Sequence, residues 1–341
     1  MSKFSKIGIF ILFTLFVSGG LIIFYLGQSK ILAKGIERST SRNGVYICPN
    51  ATSLEEVKPG CPGMTILKLG ETKNGMTLTT TLYEGKEYYL VLGFDNIDIK
   101  AATERGIFVA NVIYDITDVA DHTLSLILSL SRKIIWADRN VKENRWDWKS
   151  VQPISRLKDK TVGIIGFGRI GRKVAQRLKG FEVKILSYDP YVPEEIFREY
   201  GVEKVDFETL IKESDIITVH TPLTDETRHM IGEKELRSMK REAILINVSR
   251  GGIIDEKALY KALKERWISG AGLDVLEVEP PSKDNPLLRL DNVIITPHMA
   301  WYSNKSLDEI RRKAAEEVAR ALSGQIPMNL VNRDVLKKLN L

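Results

Sequence analysis

The chain has 341 residues, enough for two or three domains, and its 43% hydrophobic and 28% charged residues are ordinary for a globular protein. The formal net charge of +6 comes from Lys and Arg that are scattered rather than blocked, which argues against a nucleic-acid surface. Two cysteines, Cys48 and Cys61, are too few for a disulfide framework.

In chain order, residues 7–27 come first as an uncharged apolar run. It is long enough to cross a bilayer and too long for the core of a signal peptide, so it predicts an uncleaved transmembrane helix. Lys3 and Lys6 precede it, and Lys30, Lys34 and Arg38 follow. The slight positive excess after the run places the rest of the chain in the cytoplasm. Residues 1–40 are thus read as anchor and linker. Residues 41–92 are a small Gly/Thr-rich β segment, with a hairpin predicted from 77–83 and 87–92. An apolar helix is predicted at 118–130. Trp136, Trp146 and Trp148 follow it, as a subunit contact or as simple packing.

Beyond this point strands and helices alternate. Strands are predicted at 161–166, 183–188, 216–220, 243–247, 270–275 and 292–296, and helices at 207–213, 233–239 and 256–265. Such alternation predicts an α/β fold, a Rossmann-type doubly wound parallel sheet, over residues 111–300. Ligands bind such sheets outside the carboxyl ends of the strands. The last helix carries Ser306 and Glu309 at capping-box spacing. Its Leu307, Ile310, Ala314, Val318 and Leu322 make one apolar stripe.

The stretch 161–189 reads TVGIIGFGRIGRKVAQRLKGFEVKILSYD. A buried strand runs into Gly166, Gly168 and Gly171, spaced G-x-G-x-x-G, and then into a helix. Gly166 suits a tight turn, Gly168 the approach of backbone to a pyrophosphate, and Gly171 close packing of helix on strand. The helix N-terminus offers unpaired N–H groups and a positive dipole end to phosphates. A second strand ends at Asp189, where a ribose 2′-OH would bind. Asp189 would repel a 2′-phosphate, and Tyr191 rather than an Arg follows it, so NAD is preferred to NADP.

Three residues at strand ends complement this cofactor site. Arg250, in NVSRGG, can fork onto a carboxylate. His298, in TPHMAW, is placed for acid/base work, and Glu279, in LEVEPP, would fix its tautomer and stabilise its charged form. Asp274 ends the strand before Glu279 and is read as facing the nicotinamide amide or as packing. His220, Thr221 and Pro222 suggest a loop packed along the cofactor. His122 is read as structural, inside its apolar helix, and His229 as a helix-start or surface residue. No metal-ligand cluster stands out, which disfavours a zinc-assisted dehydrogenase.

GFDNIDIKAATERGI, VADHTLSLIL, GIIGFGRIGR, HTPLTDETRHMIG, INVSRGGIIDE, GLDVLEVEP and TPHMAWYS together resemble the D-isomer-specific 2-hydroxyacid dehydrogenase family over residues 93–335. WDWKSVQPISRLKDKT, DVLEVEPP and PHMAWYS are most similar to its C-terminal-binding-protein-like branch. The resemblance implies an NAD-dependent oxidoreductase that moves a hydride between nicotinamide and a 2-hydroxy or 2-oxo acid. It implies catalytic Arg250, Glu279 and His298. It also implies cofactor contacts at Arg169, Ile170, Asp189, Thr221, Thr227, Val248, Ser249, Arg250, Asp274 and His298. A homodimer through the helix and arm around 118–155 is implied as well.

The chain departs from the family at its N-terminus. Most of the flavodoxin-like substrate domain is missing before Gly93, which leaves 93–110 and 301–341 as its remnant. YICP…KPGCPGM in the 41–92 segment resembles a degenerate heavy-metal-binding module. There Cys48, Cys61 and Met64 would suit a soft ion, against a vestigial turn-rich segment without metal. The alternatives to an enzyme are a non-catalytic NAD(H)-binding scaffold or sensor, and a membrane metal-binding protein fused to an inactive dehydrogenase remnant.

Overall fold

A computed structural model of the chain describes residues 97–322 and 325–339. It also describes the backbone of Leu12–Phe13, Ile22–Ile23, Leu32–Gly35, Gly44–Cys48, Thr65–Thr72, Gly75–Leu82 and Lys86–Val91. Two compact units emerge, one formed by Asp115–Ser303 and the other drawn from Met1–Tyr114 and Asn304–Leu341.

The first unit is built on seven parallel strands: β1 (Thr161–Ile165), β2 (Lys184–Tyr188), β3 (Glu203–Lys204), β4 (Ile216–Val219), β5 (Ile244–Asn247), β6 (Gly270–Leu273) and β7 (Val293–Ile295). Their order across the sheet is β3-β2-β1-β4-β5-β6-β7. Apart from the added seventh strand, this is the doubly wound order of a dinucleotide-binding domain. Strands β4, β5 and β6 are buried at every residue. Continuous apolar runs are what a parallel sheet covered on both faces requires.

Side chains alternate between two cores. Val162 and Ile164 of β1 face a cluster with Leu126, Ile127 and Leu130 of α1 (Thr117–Ser131) and Val174, Ala175 and Leu178 of α3 (Arg169–Leu178). Helix α2 (Ile134–Lys142) follows α1 and has no buried residue. Ile165, Ile217 and Leu245 face the opposite cluster, with Leu210 and Ile211 of α5 (Phe207–Glu213), Leu236 of α6 (Glu233–Ser238) and Leu259 and Leu263 of α7 (Glu256–Lys264). The short α4 (Glu194–Glu199) buries Phe197. Caps fix the starts of α5 and α7: Asp206 accepts from Thr209 N–H, and Asp255 accepts from Lys257 and Ala258 N–H. Chain direction across the sheet reverses between β1 and β4, which opens a crevice at the carboxyl ends of these strands.

In the other unit, Leu32–Gly35, Gly44–Cys48, Thr65–Thr72, Gly75–Leu82 and Lys86–Val91 pair antiparallel in succession, and Phe108–Asn111 adds in parallel at Lys86–Val91. The predicted hairpin is present, with Thr80 opposite Tyr88. Asn332 joins distant parts of this unit, accepting from Val109 N–H at 2.9 Å and donating to Ile107 O at 2.8 Å. The last long helix is Asn304–Leu322. Ser306 therefore lies inside its first turn, where it is buried, and does not cap it as its spacing to Glu309 predicted.

No helix among the described residues is long and apolar enough to cross a membrane. Within 7–27, predicted as a membrane-spanning helix, Leu12–Phe13 and Ile22–Ile23 instead pair antiparallel as strands. An apolar run reports hydrophobicity, not helicity: its Ile, Val and Phe favour strands equally, and Gly19-Gly20 interrupts it. The rest of that run lies outside the described residues, as do Cys61 and Met64; of Cys48 only the strand backbone is described.

Candidate active site

The glycine loop closes the crevice beside β1. Gly166 has φ +88, a left-handed conformation, and a Cβ there would stand 2.7 Å from His220 O. Its N–H bonds Tyr188 O at 2.9 Å, which ties the turn to β2. A Cβ at Gly171 would overlap Gly166 O, so only glycine lets α3 sit this close to the loop. Gly168 precedes α3 in extended conformation, and a Cβ there would meet no described atom within 4 Å. Arg169 and Ile170 open α3, whose first N–H groups face outward at its start. Asp189 Oδ2 accepts from Phe167 N–H at 2.8 Å and Oδ1 from Tyr191 N–H at 3.0 Å. The carboxylate predicted for the ribose holds the glycine loop.

Two further loops line the same strand ends. After β4, the Thr227 hydroxyl bonds Pro222 O at 2.7 Å and accepts from Thr224 N–H at 2.8 Å, bracing the turn. His220 pairs through Nε2 with the Thr218 hydroxyl at 2.9 Å. Burial pushes its imidazole down to about 3, so the ring is neutral at working pH. His220 Nδ1 and Thr221 Oγ1 are buried without a hydrogen-bond partner among the described residues.

After β5, buried Asn247 ties the next turn together: Oδ1 accepts from the Ser249 N–H and hydroxyl, and Nδ2 donates to Arg250 O at 2.9 Å. Sequence reasoning passed over Asn247. Its signal was an Asn at a strand end before Ser and two glycines, the pattern of an Asx turn. Val248 is buried beside it. A Cβ at Gly251 would overlap the Leu276 carbonyl carbon, so this turn packs directly on the segment carrying Glu279.

Arg250, Glu279 and His298 are brought together. His298 Nδ1 lies 2.6 Å from Glu279 Oε2, and Glu279 Oε1 accepts from Leu276 N–H at 2.9 Å. Burial works to raise the Glu279 pKa. Hydrogen bonds from His298 and Leu276 N–H, with the charges of His298 and Arg250, outweigh it and hold the carboxyl below its ordinary 4.5. An ionised carboxylate only accepts, so Nδ1 carries the proton and Nε2 is left as the working nitrogen. The His298 side chain keeps 37% of its exposure, enough to reach a ligand.

Asp274 is placed differently from the amide-facing reading. It is 1% exposed, and its carboxylate accepts from the Thr296 hydroxyl and from Met299 and Ala300 N–H at 2.9 and 2.8 Å. His122 Nε2 lies 3.0 Å from the Thr296 hydroxyl. His229 pairs with Glu277 at 2.9 Å and does not begin a helix. A cavity of about 450 Å³ lies at the opposite, amino end of the strands, lined by Leu130, Trp136, Val151 and Ile244, and is not this site.

Residues 124–300 match the family model described as D-isomer specific 2-hydroxyacid dehydrogenase, NAD binding domain. The chain is 43% identical over 321 residues to a glyoxylate reductase of Thermococcus litoralis, covering 88% of this chain and 97% of that one. The chain belongs to the D-isomer specific 2-hydroxyacid dehydrogenases. It is 48% identical over 250 residues to a glyoxylate reductase of Korarchaeum cryptofilum, covering 72% of this chain and 75% of that one. Among solved structures it resembles a D-lactate dehydrogenase of Aquifex aeolicus complexed with NAD and lactic acid. There the TM-score is 0.66 at 35% identity, over 74% of this chain and 84% of that one.

As a member of this family the chain is an NAD-dependent oxidoreductase. Its own geometry fits that cofactor. Gly168 leaves open the place a side chain would fill. The α3 N-terminus suits the pyrophosphate, and the unpartnered Thr221 hydroxyl and His220 Nδ1 are polar atoms that a cofactor's hydroxyls can satisfy.

Proposed function

We propose that the chain reduces a small 2-oxo acid of the glyoxylate type to its 2-hydroxy acid with NADH. The observation that carries this reading is the 2.6 Å bond between His298 Nδ1 and Glu279 Oε2 at the carboxyl ends of parallel strands, with the charge of Arg250 also favouring the ionised carboxylate. NAD(H), when bound, exchanges a hydride with the substrate carbon that bears the oxygen. Arg250 forks onto the substrate carboxylate and polarises the neighbouring carbonyl. His298 Nε2 gives a proton to that oxygen in reduction and takes it back in oxidation. Glu279 keeps the imidazole in the tautomer that leaves Nε2 facing the substrate and stabilises the ring when it carries both protons. The relatives named glyoxylate reductase support a small substrate.

The test is NADH oxidation by the purified full chain with glyoxylate, pyruvate and hydroxypyruvate. Turnover with glyoxylate is expected. Tight NADH binding with no turnover of any acid would instead favour the scaffold or sensor reading.

For the cofactor, Asp189 is proposed to select NAD over NADP through its charge. Asp189→Asn keeps an acceptor for Phe167 N–H and removes the charge. It is expected to narrow the NADH-to-NADPH ratio of dissociation constants by about tenfold or more. An unchanged ratio would show that the charge is not the selector.

Homodimerisation through the 118–155 region is also part of this reading. Trp146 and Trp148 are 89% and 72% exposed there, and Ile134 and Val141 of the same region are exposed as well, apolar side chains that a partner surface would cover.

A further inference from the structure

His298 has a backbone φ of +50, a left-handed conformation that a residue with a Cβ keeps only when its surroundings impose it. The His298 N–H reaches Thr296 O at 3.0 Å and its carbonyl accepts from the Trp301 indole N–H at 3.0 Å, but the largest set of bonds to this loop comes from Asp274. Asp274 O accepts from His298 N–H at 2.8 Å, and the Asp274 carboxylate accepts from the next two N–H groups, Met299 and Ala300, at 2.9 and 2.8 Å. Three successive amides are thus fixed to Asp274. The carboxylate can hold them only if its own orientation is set.

A further bond to the carboxylate comes from Thr296, where the loop begins, at the oxygen that Met299 N–H also reaches. The Thr296 hydroxyl donates to Asp274 Oδ1. A hydroxyl has one proton, so toward His122 Nε2, 3.0 Å away, the Thr296 oxygen must accept. His122 Nε2 therefore carries a proton, and it stands 3.6 Å from Asp274 Oδ1. The result is a directed chain: His122 N–H to Thr296 O–H to the buried Asp274 carboxylate to the amides around His298.

We propose that His122 is a positioning residue for the reaction, holding His298 in its productive backbone conformation through Thr296 and Asp274. This rests on the reading of His298 as the acid/base group. His122 itself belongs to α1, and its Nε2 meets Thr296 and Asp274.

The test compares His122→Leu with His122→Gln, whose amide nitrogen can take the place of Nε2–H, in the full-length chain. His298→Ala serves as the catalytic control. With glyoxylate and NADH, His122→Leu is expected to lower kcat by about tenfold while the NADH dissociation constant, read from cofactor fluorescence, stays within about twofold. His122→Gln is expected to recover most of the loss. Wild-type kcat in His122→Leu, with His298→Ala inactive, would overturn the proposal. So would equal losses in both variants accompanied by a fall in Tm and in NADH affinity, which would mark His122 as mere helix packing.

If the wild-type chain turns over no acid, the functional reading fails on its own and crystal structures decide this one. A His122→Leu structure that keeps the left-handed His298 and its Glu279 bond overturns the positioning role; a displaced 296–300 loop supports it.

Discussion

His298→Ala is expected to lower kcat for glyoxylate reduction by about a thousandfold, in the range general acid–base groups supply, and to leave NADH binding near the wild-type value. The reasoning starts from the ring. Nδ1 is committed to Glu279 at 2.6 Å, and the only nitrogen left to pass a proton to the substrate oxygen is Nε2. Alanine removes that proton donor without touching the glycine loop, Asp189 or Thr227. The loss should therefore appear equally in kcat and in kcat/KM, the signature of an interaction made only in the transition state. A loss confined to KM would instead make His298 a binding group.

Glu279 sets the acid limit of the same machine. Its folded pKa lies below the ordinary 4.5, so the pair contributes stability above that value and loses it as pH falls through the folded one. Around neutral pH the carboxylate stays charged, and the rate should not depend on its titration.

Much of this site is legible in the sequence because local rules dictate it. The fingerprint from Gly166 to Asp189 is a contiguous strand, turn, helix and strand, in which Gly166 and Gly171 stand against backbone and Gly168 opens on space. The strands β1, β4, β5 and β6 announce themselves as apolar runs since both faces are covered. Strand β3 does not, because Glu203 and Lys204 are both exposed on the sheet edge and carry no hydrophobic signal. His122 is silent for another reason: its partner Thr296 lies 174 positions away, and within its own helix it reads as a stray polar residue on a packing face. Asp274 was visible as a strand-end acid, yet nothing local says that its carboxylate turns back onto Met299 and Ala300. The Ser306–Glu309 spacing satisfied the rule for a cap, but Asn304 already belongs to the helix. The apolar stretch 7–27 misled in a similar way, since absence of charge fits more than one backbone conformation.

Gly171→Ala should damage both the fold and cofactor binding, and Gly168→Ala is its control. At 171 the new Cβ would overlap the Gly166 carbonyl oxygen and stand 3.3 Å from Ile164 Cγ2. Neither neighbour can yield cheaply. Gly166 is fixed in its left-handed turn by the bond to Tyr188, and Ile164 is fully buried. Helix α3 would have to lift from β1 and loosen Val174, Ala175 and Leu178, all fully buried. Overpacking of this kind costs about 1–3 kcal/mol, and the helix N-terminus would move with the helix. Unfolding midpoints in urea should fall, and NADH affinity should drop by more than tenfold with them, because the phosphate-binding amides belong to the displaced turn. At 168 the backbone is extended with φ −75, and the methyl meets no described atom, so stability should be unchanged. Yet that methyl enters the space through which a pyrophosphate would reach the backbone, so NADH affinity should still fall by about tenfold. Loss of binding with folding intact at 168, and loss of both at 171, would separate the packing glycine from the phosphate glycine. Normal NADH affinity in Gly168→Ala would mean that the phosphates do not approach the loop there.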